Sequence, residues 1–127
     1  MIALIYNEKR LSENSEKNFL IIETTGLSIK NDVIIAIGII KNNTIYQFII
    51  EDLKEEIELI NKANKIIRNE EIIAYNGTFE KNFLTYKADT YKIPTDFNIK
   101  KLSQKIKNFK YLFPLENYSK SNLEEFF

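Results

Sequence analysis

The 127-residue chain contains no His, no Cys and no Trp. Any chemistry it performs therefore runs on carboxylates, Lys, Tyr, Ser/Thr hydroxyls, or metal ions held by oxygen. A disulfide staple, a thiol nucleophile, a Cys/His zinc site and a Ser-His-Asp triad are all excluded. Two short clusters concentrate the usable groups. Glu23-Thr24-Thr25-Gly26 closes one apolar run, and Tyr75-Asn76-Gly77 closes another shortly before Glu80. Each has a plain local reading: Gly26 gives backbone freedom in a turn, Asn76-Gly77 is itself a turn, and Glu23 is a strand-end acid. Glu80 falls in a first helical turn, where a carboxylate complements the helix dipole.

The charge is balanced at 18 basic and 18 acidic residues, so nothing global announces a nucleic-acid partner. The distribution is uneven. Residues 51–71 hold seven acids against four bases, whereas 97–110 hold Lys100, Lys101, Lys105, Lys107 and Lys110 with no acid. A run of that kind lines a phosphate path or forms the solvated face of a helix. Hydrophobic residues make up 44% of the chain, enough for a core and too many for a disordered tail. No apolar run approaches the roughly 18 residues of a membrane span, and Met1–Tyr6 lacks a signal peptide's basic region. The expectation is one cytoplasmic domain over 1–127 with no membrane partner, residues 1–17 being an N-terminal extension.

These clusters must be positioned by strands and helices. Asn18–Glu23 reads as a strand ending at Thr24-Thr25-Gly26, and Asp32–Ile40 as a second, almost continuously apolar and so buried on both faces. A third, Thr44–Ile50, follows the turn Lys41-Asn42-Asn43 and makes a hairpin with it. Asp52 and Glu55 form a capping-box-like helix start. Leu53, Ile57, Ile60, Asn64 and Ile67 then follow helical spacing, with Glu55, Glu56 and Lys62 outward. A short strand, Glu71–Tyr75, precedes a helix with Phe79, Phe83, Leu84 and Lys87 along one stripe. After Pro94, the positions Phe97, Leu102, Ile106 and Phe109 suggest a third helix, and Ser121-Asn122-Leu123-Glu124 the cap of a fourth. A strand after a crossover helix returns parallel, beside the first strand. The pattern predicts a mixed α/β sheet: an antiparallel meander of three strands, at least one parallel strand, and flanking helices.

Phe19-Leu20-Ile21-Ile22-Glu23-Thr24-Thr25-Gly26-Leu27-Ser28 resembles the first motif of the DEDD 3′–5′ exonucleases, Phe-x-Asp-x-Glu-Thr-Thr-Gly-Leu-Ser, on a ribonuclease H-like fold. Ile73–Leu84, containing Asn76-Gly77-Thr78-Phe79-Glu80, resembles the second motif, Asn-Gly/Ala-x-Phe-Asp followed by Phe-Leu. Asp96-Phe97, Phe113–Ser119 and Leu123–Phe126 resemble the YprB-like branch of bacterial exonucleases. The likeness runs over about residues 18–127 in the right order. It implies a three-layer ribonuclease H-like domain whose carboxylates hold two Mg²⁺ or Mn²⁺ ions about 4 Å apart for phosphodiester cleavage. The first and third residues of Asp-x-Glu point to one face of a strand, which aims both at the site.

Against that pattern Ile21 occupies the first Asp position and cannot ligate a metal, Glu23 is kept, and Glu80 stands for the second-motif Asp. The third motif would lie beyond residue 127, and the expectation is that the C-terminal part of the family fold is absent. The resemblance implies Glu23 and Glu80 as vestigial metal positions and Thr24, Thr25, Gly26, Tyr75 and Asn76 as substrate-binding positions. Two readings follow. In the first, the domain keeps the scaffold without catalysis, binds no metal or only weakly Mg²⁺ or Mn²⁺, and has single-stranded nucleic acid or a protein as partner. In the second, it is an active metal-dependent 3′–5′ exonuclease using Glu23, Glu80 and an acid from elsewhere. The family's last helix covers part of the sheet. An end at Phe126-Phe127 therefore predicts a homodimer through that side.

Overall fold

The structure, a computed structural model, describes residues 1–7 and 18–101. Its strands are β1 (Ile2–Asn7), β2 (Phe19–Thr24), β3 (Ile34–Lys41), β4 (Thr44–Ile49), β5 (Glu71–Ala74) and β6 (Asn98–Lys101). Its helices are α1 (Glu56–Ile67), entered through a single 3-10 turn at Leu53–Glu55, and α2 (Thr78–Thr90). All six strands form one mixed sheet in the order β1-β4-β3-β2-β5-β6. This is the α/β arrangement that the sequence predicts. No helix among the described residues is long and apolar enough to cross a membrane.

The apolar run of β3 lies inside the sheet between β4 and β2, with Ile34 through Ile40 all buried. β2 pairs antiparallel with β3 on one side and parallel with β5 on the other. The hairpin between β3 and β4 turns on Asn42 and Asn43, both at positive φ (53° and 62°), as a two-residue type I′ connection requires. The crossovers β4–α1–β5 and β5–α2–β6 run in the same direction along the sheet. Right-handed connection then puts both helices on one face, where they pack against each other. That face carries Ile72, Ala74 and Ile99, which are buried, while Glu71, Asn98 and Lys100 on the other side of β5 and β6 are exposed. Paired residues share a face, so Leu20, Ile22, Ile37 and Ile39 lie under the helices and Ile21, Glu23, Gly38 and Gln47 lie opposite.

Four expectations need correction. Residues 1–17, assigned to an extension, include a strand of the sheet: β1 pairs antiparallel with β4 from Ile2↔Ile49 to Asn7↔Thr44. The stretch after Pro94 begins as a strand, not a helix. Ile99 is buried while Asn98 and Lys100 are exposed, the two-residue period of a parallel edge strand. The rest of that predicted helix, the fourth helix, the third layer, Phe126-Phe127 and the lysines beyond Lys101 lie outside the described residues. The inward face of α1 is also rotated. Leu53 and Ile57 are about half exposed, and the buried stripe is Glu56, Leu59, Ile60, Ala63, Asn64 and Ile67. The capping box does form, with Asp52 and Glu55 bonding each other's backbone, but it caps the 3-10 turn and α1 starts one residue later.

Glu56 is the fourth correction, a carboxylate expected outward that is only 2% exposed. Burial is tolerable because its charge is fully engaged. Oε2 accepts the Ile34 backbone N–H at 2.7 Å, and Oε1 accepts the Tyr91 hydroxyl and faces Lys87 Nζ at 3.4 Å. Burial first, then the hydrogen bond to Glu56 and its negative charge, raise the Tyr91 pKa well above the ordinary 10.0.

Two measurements test this description. Asn43→Gly should stabilise the protein by about 0.5–1 kcal/mol in urea unfolding, because glycine adopts positive φ without strain and the buried, unpartnered Asn43 Oδ1 is removed. A destabilised variant would contradict the turn geometry. The folded chain should also hold the Tyr91 proton after the unfolded chain has lost its own. Stability is then full below pH 10 and falls as pH rises beyond it, and Tyr91→Phe should flatten that decline in alkaline melting curves.

Candidate functional site

The parallel strands β2, β5 and β6 end at one edge of the sheet, and there the chain diverges. From β2 it turns back to β3 on one side, and from β5 it runs through α2 to β6 on the other. In open α/β sheets such a divergence, beyond the carboxyl ends of the strands, is the usual position of a ligand crevice. Both sequence clusters reach it. Glu23 through Gly26 leave β2, and Tyr75 through Glu80 leave β5. Lys100 and Lys101 end β6 at the same edge, and both are exposed.

On the β2 side, Ile21 and Glu23 are half-buried on the sheet face away from the helices, opposite Gly38 and Ala36 of β3. The register shifts between Glu23 and Thr24, so β2 turns out of the ladder at that point. The following loop is closed by its own hydroxyls. Thr24 Oγ1 donates to the Gly26 carbonyl at 2.6 Å, and Thr25 Oγ1 donates to Asp32 Oδ1 at 2.9 Å while accepting the Val33 N–H at 3.0 Å. Asp32 Oδ2 also accepts the Ser28 N–H at 2.7 Å. A Cβ on Gly26 would come within 2.6–2.9 Å of that carboxylate, so glycine lets the loop wrap around Asp32. The wrapping leaves Leu27 85% exposed. Asp32 is the organising residue that the sequence reading misses, since there it marks only a strand start. An acid just before an apolar strand, shortly after a Thr-Thr-Gly turn, is the signal that points to it.

On the β5 side, Tyr75 is 63% exposed and Asn76 caps α2, its Oδ1 accepting the Phe79 N–H at 3.1 Å. Gly77 adopts φ 85°, and a Cβ there would lie 3.0 Å from the Lys101 backbone nitrogen. Glycine is required on both counts. Glu80 is only 6% exposed, and its Oε1 accepts the Gly77 N–H at 2.7 Å. It works as the reciprocal half of a helix cap.

These residues do not fit a pair of divalent ions. Ile21 offers no oxygen, Glu80 is engaged with its own helix start, and no group of three acidic side chains that could hold a metal occurs among the described residues. The threonine hydroxyl protons are likewise engaged inside the loop. Leu27, Tyr75, Lys100 and Lys101 are exposed at this edge, as are the polar Thr25, Ser28, Asn76 and Thr78.

The capping role of Glu80 predicts a specific pair of outcomes. Glu80→Ala should cost about 1–2 kcal/mol in chemical denaturation, and Glu80→Gln, which keeps the acceptor, at most a few tenths. Equal losses for both would mean that the negative charge itself is required.

No curated protein matches the chain. A family model described as the RNase_H superfamily matches residues 18–127, which takes in β2 through β6 and every residue placed at the crevice. The chain belongs to the RNase H superfamily.

Proposed function

We propose that this domain is a catalytically degenerate relative of the DEDD exonucleases that binds single-stranded nucleic acid in the crevice beyond β2 and β5 without cleaving it. The observation that carries this reading is the pairing of exposed Leu27 and Tyr75 with Lys100 and Lys101 at the sheet edge where the metal carboxylates are deficient. An aromatic ring stacks with bases of any sequence, an aliphatic side chain packs against them, and lysines neutralise the backbone phosphates. The crevice supplies those elements, and Ile21 removes the carboxylate that hydrolysis in this family employs.

Anisotropy of a fluorescein-labelled oligo-dT should report binding that Tyr75→Ala weakens by about five- to a hundredfold, the range for removing one base stack. Replacing Lys100 and Lys101 by Gln should lower the salt slope by about 0.7 for each phosphate no longer neutralised. The labelled strand should stay intact in millimolar Mg²⁺ or Mn²⁺, and Ile21→Asp alone should not produce robust shortening. A metal-dependent ladder from the wild-type chain would establish instead the active exonuclease, with Glu23 and Glu80 joined by an acid from elsewhere. No binding at micromolar protein would remove the nucleic-acid reading.

A further inference from the structure

The contacts of the Glu56 cluster lead to both of the crevice walls. One wall is the loop from Thr24 to Val33. Thr25 and Val33 are locked together twice, through Thr25 N–H to the Val33 carbonyl at 2.9 Å and Val33 N–H to Thr25 Oγ1 at 3.0 Å. The next backbone donor, Ile34 N–H, goes to Glu56 Oε2 at 2.7 Å. The other wall is the start of α2. Lys87, which faces Glu56, lies two turns after Glu80 on the same buried stripe, and Tyr91 is the C-cap of the same helix. A helix held at its far end is fixed along its axis, and α2 begins where Gly77 meets the Lys101 backbone without room for a Cβ.

We propose that Glu56 is a positioning residue that sets the Thr24–Val33 loop and the start of α2 relative to each other, and so sets the width of the crevice. The proposal rests on reading that crevice as the binding site. A role in stability alone does not account for a carboxylate here, since well-packed apolar side chains commonly replace buried ion pairs without penalty. The carboxylate does what an apolar group cannot. It accepts one particular N–H at the root of the loop while its other oxygen holds two groups of α2.

Amide hydrogen exchange on the full chain, without nucleic acid, tests the link directly. Glu56→Ala should speed exchange at Thr25, Val33 and Ile34 at least about tenfold more than at Ile37 and Ile39 in the β3 ladder. Glu56→Gln keeps an acceptor for Ile34 N–H and should restore most of that protection. Tyr91→Phe, a smaller change that decides the matter should Glu56→Ala fail to fold, should speed the same three amides about threefold and leave the ladder unchanged. The same variant should weaken oligo-dT binding about threefold although the Tyr91 hydroxyl bonds Glu56 and no crevice residue. Acceleration spread evenly over loop and ladder, or none at the loop in Tyr91→Phe, would overturn the proposal. Local acceleration in a protein that binds no oligonucleotide would uphold the link between the walls and refute the nucleic-acid reading.

Discussion

Everything in this domain is arranged around a strand that tolerates no water on either face. Ile34 through Ile40 present only apolar side chains and one glycine, so β3 requires a paired strand on each edge and cover above and below. β4 and β2 supply the edges, α1 supplies cover on one face, and the remaining strands extend the sheet from these two partners. Hydrophobic burial is worth about 25 cal/mol per Å², which makes β3 the largest single constraint on the fold's architecture. Glu56 is held at the first residue of β3, where it accepts the Ile34 N–H.

The parallel half of the sheet has a different logic. β5 and β6 are short, covered on one side, and joined through α2, whose start is crowded against the end of β6. The crevice forms where this half meets the meander. Its chemistry is that of a surface whose polar groups are largely engaged with each other: threonine hydroxyls with a carbonyl and Asp32, Asn76 and Glu80 with the helix start. Several motif residues that look available when written as letters are here bonded within the β2–β3 loop or at the start of α2. Among the exposed side chains there are a leucine, a tyrosine and two lysines.

Much of this is legible in the sequence because it depends on local rules. β2, β3, β4 and the Asn42-Asn43 turn follow from apolar periodicity and turn chemistry, and the parallel return of β5 follows from connection handedness. The failures share one cause. Periodicity scores a carboxylate as outward, so Glu56 turns the predicted face of α1 toward Leu53 and Ile57, when three partners distant in sequence make its burial tolerable. β6 looks helical because Phe97 can be joined to Leu102 and Ile106 at helical spacing, and its pairing with β5 carries no local signature. Asp32 escapes notice for the same reason, since its role consists of bonds to residues before it in the chain. Glu23 and Glu80 are legible as motif positions, but the cap that occupies Glu80 is visible only in three dimensions.

β1 brings a further consequence, one of timing. It joins the sheet only through β4, and its pairing of Ile2 with Ile49 spans the whole meander. Loop closure over such a span must be met before any contact rewards it, so β1 adds after the β2–β3–β4 core has formed. Yet it precedes that core in the chain and is synthesised before its partner exists. For that interval Ile2, Leu4 and Ile5 are an unpaired apolar strand, a template for pairing with another chain. Rapid closure of the tight β3–β4 hairpin shortens the interval, and the efficiency with which new molecules reach the native sheet is set by the competition between those two rates.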